Sequence, residues 1–535
     1  MKLYTRLAVA ITVMLVLATL ASAQMKSDHR LTSRQAPQTQ SVQKAATSSQ
    51  WTLLNNQPCV GANPCFPAGV TMLLTDGTVI VHEEQDGGEA NWYKLTPDAF
   101  GNYVNATWSQ LASIPSALVY APLFFGSQVL PDGRLTVIGG EYNSAINCPT
   151  GCWVTNGAIY NPVTNSWTNV PPPAGWTTIG DAQSINLANG TYMQANCCTK
   201  QWAYLNPTTL AWTQFNGNGK FDIFDEEGWN LLPNGKVLTV DAYVFQYNAN
   251  GMNSELYDPT SQSWSTAGST IVQIWDSCNG ANGASYEVGP AVLRPDGTVF
   301  QAGARTCGTG HTAVFNSHTS SWAAGPDFPV ANVSIADGPA SIETNGKVLM
   351  MGSVNENPPA SFFEWDGTNL TTIPGPAGAA NAGSFYGHLL PLPNGQILYT
   401  DWNYPGFGVP ADVSVYTPTG TYNQAWAPKI LAANTSLTRG SSYVLYGTQL
   451  AGVSQGGAYG DDYQPNTNYA LVRLTNHSTG HVFYCRTHNP SSYAVQSTAV
   501  QFTHYDVPAG AETGLSTLVA VTNGIPSSPI SVMVH

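Results

Sequence analysis

The chain has 535 residues and a formal net charge of −14, from 32 acidic and 18 basic side chains. That balance argues against nucleic acid or an anionic membrane surface as a partner, since both repel a polyanion. Charged residues make up only 9% of the chain while Gly (51), Pro (36), Tyr (25) and Trp (15) abound, a composition of short strands and tight turns rather than helices.

At the N-terminus Lys2 and Arg6 precede an apolar run, LAVAITVMLVLATLA, and Ala21-Ser22-Ala23 supplies the small residues of a cleavage site. Residues 1–23 therefore read as a secretory signal peptide cleaved before Gln24, and the expected location is secreted or periplasmic. No later apolar run reaches the roughly 18 residues a membrane-spanning helix needs. Residues 24–50 lack a hydrophobic period and are rich in Gln, Ser and Thr, as in a disordered leader.

From residue 51 one phrase recurs: two apolar strands around TDG (75–77), PDG (131–133), ANG (188–190), PNG (233–235), PDG (295–297), TNG (344–346) and PNG (393–395). The turn glycines are 56, 57, 45, 62, 49 and 49 residues apart, a spacing of one supersecondary unit per repeat. Asp-Gly and Asn-Gly supply the positive φ of a tight hairpin, so each phrase is a β-hairpin. A second aromatic hairpin follows each, with Tyr160 to Trp167, Tyr257 to Trp264 and Phe315 to Trp322 seven apart and Tyr204 to Trp212 eight apart. Seven units of four strands predict an all-β, seven-bladed β-propeller over residues 51–425. The last unit lacks its outer strand, and Trp51 opens a strand with no hairpin before it, so the N-terminal strand is expected to complete blade 7 and close the ring. Beyond residue 426 the period is lost, but VRLTN, HVFYCRT, TLVAVTN and PISVMV continue as strands, which suits a β-sandwich over residues 426–535.

Nine cysteines in an exported chain should mostly pair. Proximity pairs Cys59 with Cys65, Cys148 with Cys152, Cys278 with Cys307 and, as a vicinal bridge, Cys197 with Cys198. Cys485 is left as a buried thiol.

Hairpins reading PDGRLTVIGG and PNGKVL, followed by a domain containing LVRLTN, FYCRTH and NGIPSSPISV, resemble the galactose oxidase and glyoxal oxidase superfamily over residues 51–535. The resemblance implies a kelch-type propeller with an early-set, immunoglobulin-like C-terminal sandwich. It also implies a copper ion held by two tyrosines and two histidines, one tyrosine being thioether-linked to a cysteine. At the family's positions for those residues, nine before the turn glycine, this chain has Ala68, Phe124 and Tyr386, the last preceded by Phe385. The cysteine and its linked tyrosine are absent. His388 and the Thr487-His488 pair are what remains of the ligand set.

Read across all seven blades, the position nine before glycine carries Ala68, Phe124, Asp181, Glu226, Val288, Asp337 and Tyr386, with Asp225, Glu227 and Glu287 adjacent. The second strands return His82, Glu83, Glu84, Glu141, Asp241, Arg305, Asp401 and Trp402 to the same rim. An acidic, aromatic-lined mouth follows, with Asp181, Glu226, Glu227, Asp337, Tyr386 and Trp402 as ligand-binding candidates and His388, His488, Asp181 and Asp337 as candidate metal ligands. Converging carboxylates must be offset by a cation, hydrogen bonds or protonation. Calcium suits such donors better than copper does. Trp108, Trp167, Trp212, Trp264 and Trp322 recur at one place in the blade and are expected to pack between blades, whereas Trp92, Trp176, Trp229 and Trp402 are the candidates for stacking on sugar rings. The expected function is an exported propeller that binds carbohydrate or another polar extracellular ligand at this face. The alternatives are a copper-dependent alcohol or aldehyde oxidase with a rearranged centre, and a hydrolase using paired carboxylates.

Overall fold

Residues 50–60, 65–85, 87–146, 148, 151–246, 251–277, 286–304, 308, 310–402, 413–460 and 462–535 are described by the computed structural model. The signal peptide, the leader up to residue 49, Arg305 and the Cys278–Cys307 pairing lie outside those residues.

The recurring phrase folds as expected, with one refinement of the turn. All seven turn glycines adopt positive φ, from 77° at Gly77 to 87° at Gly346, but the Asp or Asn before each does not. That side chain works differently: Asp76 Oδ1 accepts from the Thr78 amide at 3.0 Å, and Leu74 and Thr78 close the loop through a backbone bond of 2.8 Å. Only glycine is tolerated in the left-handed position without cost, which is why it is the fixed point of every repeat.

The hairpins assemble into seven antiparallel sheets, each entered through a short innermost strand: Ala68–Leu73, Gly126–Val129, Ser184–Asn186, Asn230–Leu231, Ala291–Leu293, Ala340–Ile342 and Gly387–Pro391. The result is a seven-bladed β-propeller followed by a second, β-rich domain. Spacing of seven places the outer aromatics directly opposite, as in the pairs Tyr160–Trp167, Tyr257–Trp264 and Phe315–Trp322, with ring centroids 5.1 Å apart in each. The spacing of eight shifts Trp212 against Leu205 instead. Several of these tryptophans also bind the neighbouring blade: Trp167 Nε1 donates to Ala112 O and Trp212 Nε1 to Pro171 O, both at 2.7 Å. Their place is between blades, as the repeat suggested.

The ring is closed by the strand Gln50–Leu53, which pairs antiparallel with Ser414–Thr417 of blade 7, placing Trp51 opposite Tyr416. The Trp51 indole packs on Phe362, Tyr399 and Tyr416 at 4.9–5.6 Å, and its Nε1 donates to Pro374 O at 2.8 Å. The C-terminal strands form two layers bridged by Val482–His488, which pairs with Leu471–Asn476 on one side and Gln501–Asp506 on the other. Leu445, Val472, Cys485, Tyr505, Leu518 and Val532 fill the core between the layers, and Cys485 is a buried free thiol there. Disulfides join Cys59 to Cys65, Cys148 to Cys152 and Cys197 to Cys198. No helix among the described residues is long and apolar enough to cross a membrane.

One segment was not foreseen. Between the first strands of the C-terminal domain and Leu471, the chain runs back into the propeller. Gly457–Ala458 adds a strand to the innermost strand of blade 6. Tyr459 donates to Phe385 O at 2.5 Å, the Phe124 amide donates to Tyr463 Oη at 2.9 Å, and the Leu231 amide donates to Gln455 Oε1 at 2.6 Å. This plug therefore touches blades 2, 4, 6 and 7.

Truncation tests the closure. Deleting residues 24–48 is expected to leave thermal stability nearly unchanged, while deleting through Leu53 should lower the melting temperature markedly. Trp51→Ala alone should cost about 3 kcal/mol. Equal melting temperatures for the two truncations would refute closure by this strand.

Candidate functional site

In a propeller the loops entering the innermost strands meet around the axis. Ala68 begins its strand; Phe124, Asp181, Glu226, Val288, Asp337 and Tyr386 all lie in such loops. Phe124, Glu226 and Asp337 take left-handed backbone, with φ of 51°, 58° and 45°. Non-glycine residues hold that conformation only where the surroundings fix it.

Three carboxylates meet at this mouth. Oxygens of Glu226 from blade 4, Glu287 from blade 5 and Asp337 from blade 6 lie within 4.8 Å of one another, and all three side chains are half-buried. Glu226 and Asp337 were candidates from the sequence; Glu287, the neighbour of the register residue Val288, completes the group. Gly460 of the plug packs against Asp337, where a Cβ would collide with the carboxylate.

Asp181 is deeper, on the blade 3 side. It is 5% exposed and its Oδ1 has no hydrogen-bond partner. Burial lifts its carboxyl to about 6, against the opposing bonds from its own amide and the Trp153 indole. Burial first, and then Asp181, Glu287 and Asp225, push Glu141 up to about 8. Asp225 rises to about 8 through burial, Asp181 and Asp222. Asp462 of the plug is raised well above the carboxylate range by burial and by Asp337. The mouth therefore holds protons at neutral pH that free carboxyls would have released.

The blade 1 and blade 7 side is balanced differently. Glu84 is fully buried, fitted against Gly69, where any Cβ would overlap it. His388 Nε2 lies 3.1 Å from Glu84 Oε2 and His82 Nδ1 3.8 Å from Oε1. Burial pulls Glu84 up, but His388 and then His82 outweigh it and hold the carboxyl at about 2. Tyr459 of the plug stacks on His388 at 5.2 Å.

Other sequence candidates are placed away from the mouth surface. Glu227 turns into a buried cage around Lys220, bonding its Nζ at 2.9 Å, with Asp222, Asp241 and Glu255 as the other walls. Tyr386 and Trp402 are 9% and 2% exposed and pack on each other at 4.9 Å, while Trp92, Trp176 and Trp229 are likewise buried; none of the four tryptophans singled out for stacking offers a free face. Trp153 is the exposed tryptophan, and nothing in its sequence context marked it. His488 is a strand residue of the C-terminal domain, bonded to Asp506 at 3.1 Å and stacked on His504. The segment that reaches the axis from that domain is the plug, with Tyr459, Asp462 and Tyr463. Its stretch YGDDYQPN breaks the strand alternation, the one signal that could have found it.

Of the two histidines that the resemblance pointed to, His388 Nε2 lies 3.1 Å from Glu84 Oε2 and His488 Nε2 3.1 Å from Asp506 Oδ1. Among the described residues the three groups able to hold a metal contain no histidine: Glu226–Glu287–Asp337, Asp222–Glu227–Asp241 and Cys197–Cys198–Asp225. The second is filled by the Lys220 ammonium, and the sulfurs of the third are joined to each other.

No protein-family model matches the chain, and no curated protein matches it. Among solved structures, a fungal alcohol oxidase of the AA5 family, in complex with copper, aligns over 91% of this chain and 99% of its own, at 13% identity and a TM-score of 0.48. Virginiamycin B lyase from Staphylococcus aureus aligns over 52% of this chain and 78% of its own, at 11% identity and a TM-score of 0.34.

The raised carboxyls fix a sign. A group whose pKa is higher folded than unfolded contributes stability that is complete below its unfolded value and lost as pH rises through its folded value. For Glu141 and Asp225 that window runs from the ordinary carboxylate range to about 8. The melting temperature should therefore fall between pH 5 and pH 8, and Glu141→Gln should flatten that fall. A thermal-unfolding series with the same slope in wild type and variant would remove Glu141 from the linkage.

Proposed function

We propose that the protein is a secreted binding propeller whose acidic central mouth takes a hard divalent cation, calcium in the first instance, and through it a polyhydroxylated ligand such as carbohydrate. The observation that carries this reading is the meeting of Glu226, Glu287 and Asp337, from three different blades, within 4.8 Å and within reach of solvent. Oxygen-only donors of this kind suit calcium, whose large coordination shell leaves positions for ligand hydroxyls. The protonated carboxyls behind them are the state such a mouth adopts when no positive charge offsets it. Three disulfides and the apolar N-terminal run support export. The galactose-oxidase-like, kelch-type and early-set, immunoglobulin-like assignments belong to the same reading and rest on the turn phrases and the C-terminal strand pattern.

Calorimetric titration of the purified protein with calcium, copper and a glycan panel tests it. Calcium should bind at one site, more tightly at pH 8 than at pH 6 because Glu141 and Asp225 behind it, both raised to about 8, lose protons over that range and add negative charge. Glu226→Gln and Asp337→Asn should stay folded and lose at least tenfold in affinity, whereas Tyr386→Phe should bind as wild type does. A wild type without calcium or glycan binding, or variants that bind equally well, would remove the mouth as the site.

A further inference from the structure

The mouth leaves one chemically loaded cluster unused, the cage around Lys220. Its Nζ is wholly buried, 2.7 Å from Glu255 Oε2, 2.9 Å from Glu227 Oε1 and 3.6 Å from Asp241 Oδ1, and bonded at closer range to Asp222. The rings of Phe224 and Trp264 cover it at 5.1 and 5.7 Å. Four carboxyl groups around one ammonium leave an excess of three negative charges if all are ionised, which a desolvated site cannot hold.

The four walls are not equivalent. Glu227 is fully engaged, with Oε1 accepting from Lys220 and Oε2 from Thr239 Oγ1 at 3.0 Å. Glu255 is pinned at Oε1 by the Phe221 amide at 2.9 Å, while its Oε2 touches Nζ without hydrogen-bond alignment. Both oxygens of Asp241 also lack a donor, and its carboxyl is against that of Glu255. Burial holds the Asp241 carboxyl well above the ordinary carboxylate range, so Asp241 brings a proton to Glu255 beside a buried amine.

We propose that Lys220 and Glu255 are joined by an intramolecular amide bond that forms spontaneously once the protein has folded. The Lys220 ammonium passes a proton to Asp222, and the neutral Nζ adds to Cδ of Glu255. The Nζ–Cδ bond forms and the Cδ–OH bond breaks. Asp241 protonates the Glu255 oxygen as the bond forms, then takes a proton from the added amine and passes it to the departing hydroxyl, which leaves as water and leaves Asp241 ionised. One ammonium and one carboxylate become one amide and one water, with no oxidant, reductant or cofactor consumed. Fixed proximity replaces the activation that amide formation needs in solution, and loss of two charges from a water-free site favours the product. The bond would fasten the loop entering blade 4 to that blade's strand Asn253–Asp258.

Peptide mapping of the full-length protein, denatured and reduced before digestion, tests this. Trypsin should fail to cleave after Lys220, and a branched peptide should join the Lys220 and Glu255 segments, lighter than their sum by one water. Glu255→Ala should restore cleavage after Lys220, and Asp241→Asn should leave a several-fold larger uncrosslinked fraction. Complete cleavage after Lys220 in the wild type, or a branch at Glu227 or Asp222 instead, overturns the proposal, and the wild-type map decides even if a variant does not fold.

Discussion

Repulsion among carboxylates gathered at one axis is the constraint to which the rest of this structure responds. A propeller points every blade entrance at its centre, so seven entrances scattered along the sequence are forced into one small volume. Three responses appear side by side. Glu84 meets two histidines and stays ionised, held at about 2. Glu141 and Asp225 meet only other acids and retain protons up to about 8. Asp222, Glu227, Asp241 and Glu255 gather around Lys220, which takes the place a metal ion would occupy. Burial pulls Glu84, Glu141 and Asp225 alike upward, and the neighbours each one meets decide the outcome.

The plug from the C-terminal domain makes the two domains chemically one. Tyr459 and Asp462 enter the mouth, Tyr463 receives the Phe124 amide, and Gly457–Ala458 hydrogen-bonds to blade 6. Substitutions in a domain that looks like a separate module would therefore be felt at Asp337 and His388. Gly460 has room for its backbone only because it has no side chain beside Asp337.

The fold was legible because its determinants are local. A glycine that must be left-handed, a polar residue before it and an aromatic pair seven apart are all read within ten residues, and Trp51 announced ring closure by lacking a hairpin of its own. The register also carried Glu226 and Asp337 to the mouth, since equivalent positions in a propeller converge. What it could not carry was direction. Glu226 and Glu227 are neighbours in sequence, yet one faces the mouth and the other Lys220, a choice made by a left-handed backbone at Glu226. Tyr386 and Trp402, expected to line the mouth, are buried against each other, because an aromatic ring gains more from packing than from water. His488 shows the limit of carrying a ligand over by motif: the chain reaches the axis through a different loop.

The closing strand imposes an order on synthesis. Trp51 leaves the ribosome near the beginning of the domain, and Tyr416, its partner, more than three hundred residues later. Until then the nascent chain is an open arc with a bare strand edge at each end, each able to pair with the same edge of another copy. Only when the final blade arrives can the molecule become insensitive to its neighbours, so crowding during production bears on this protein most heavily in the interval between its first strand and its last blade.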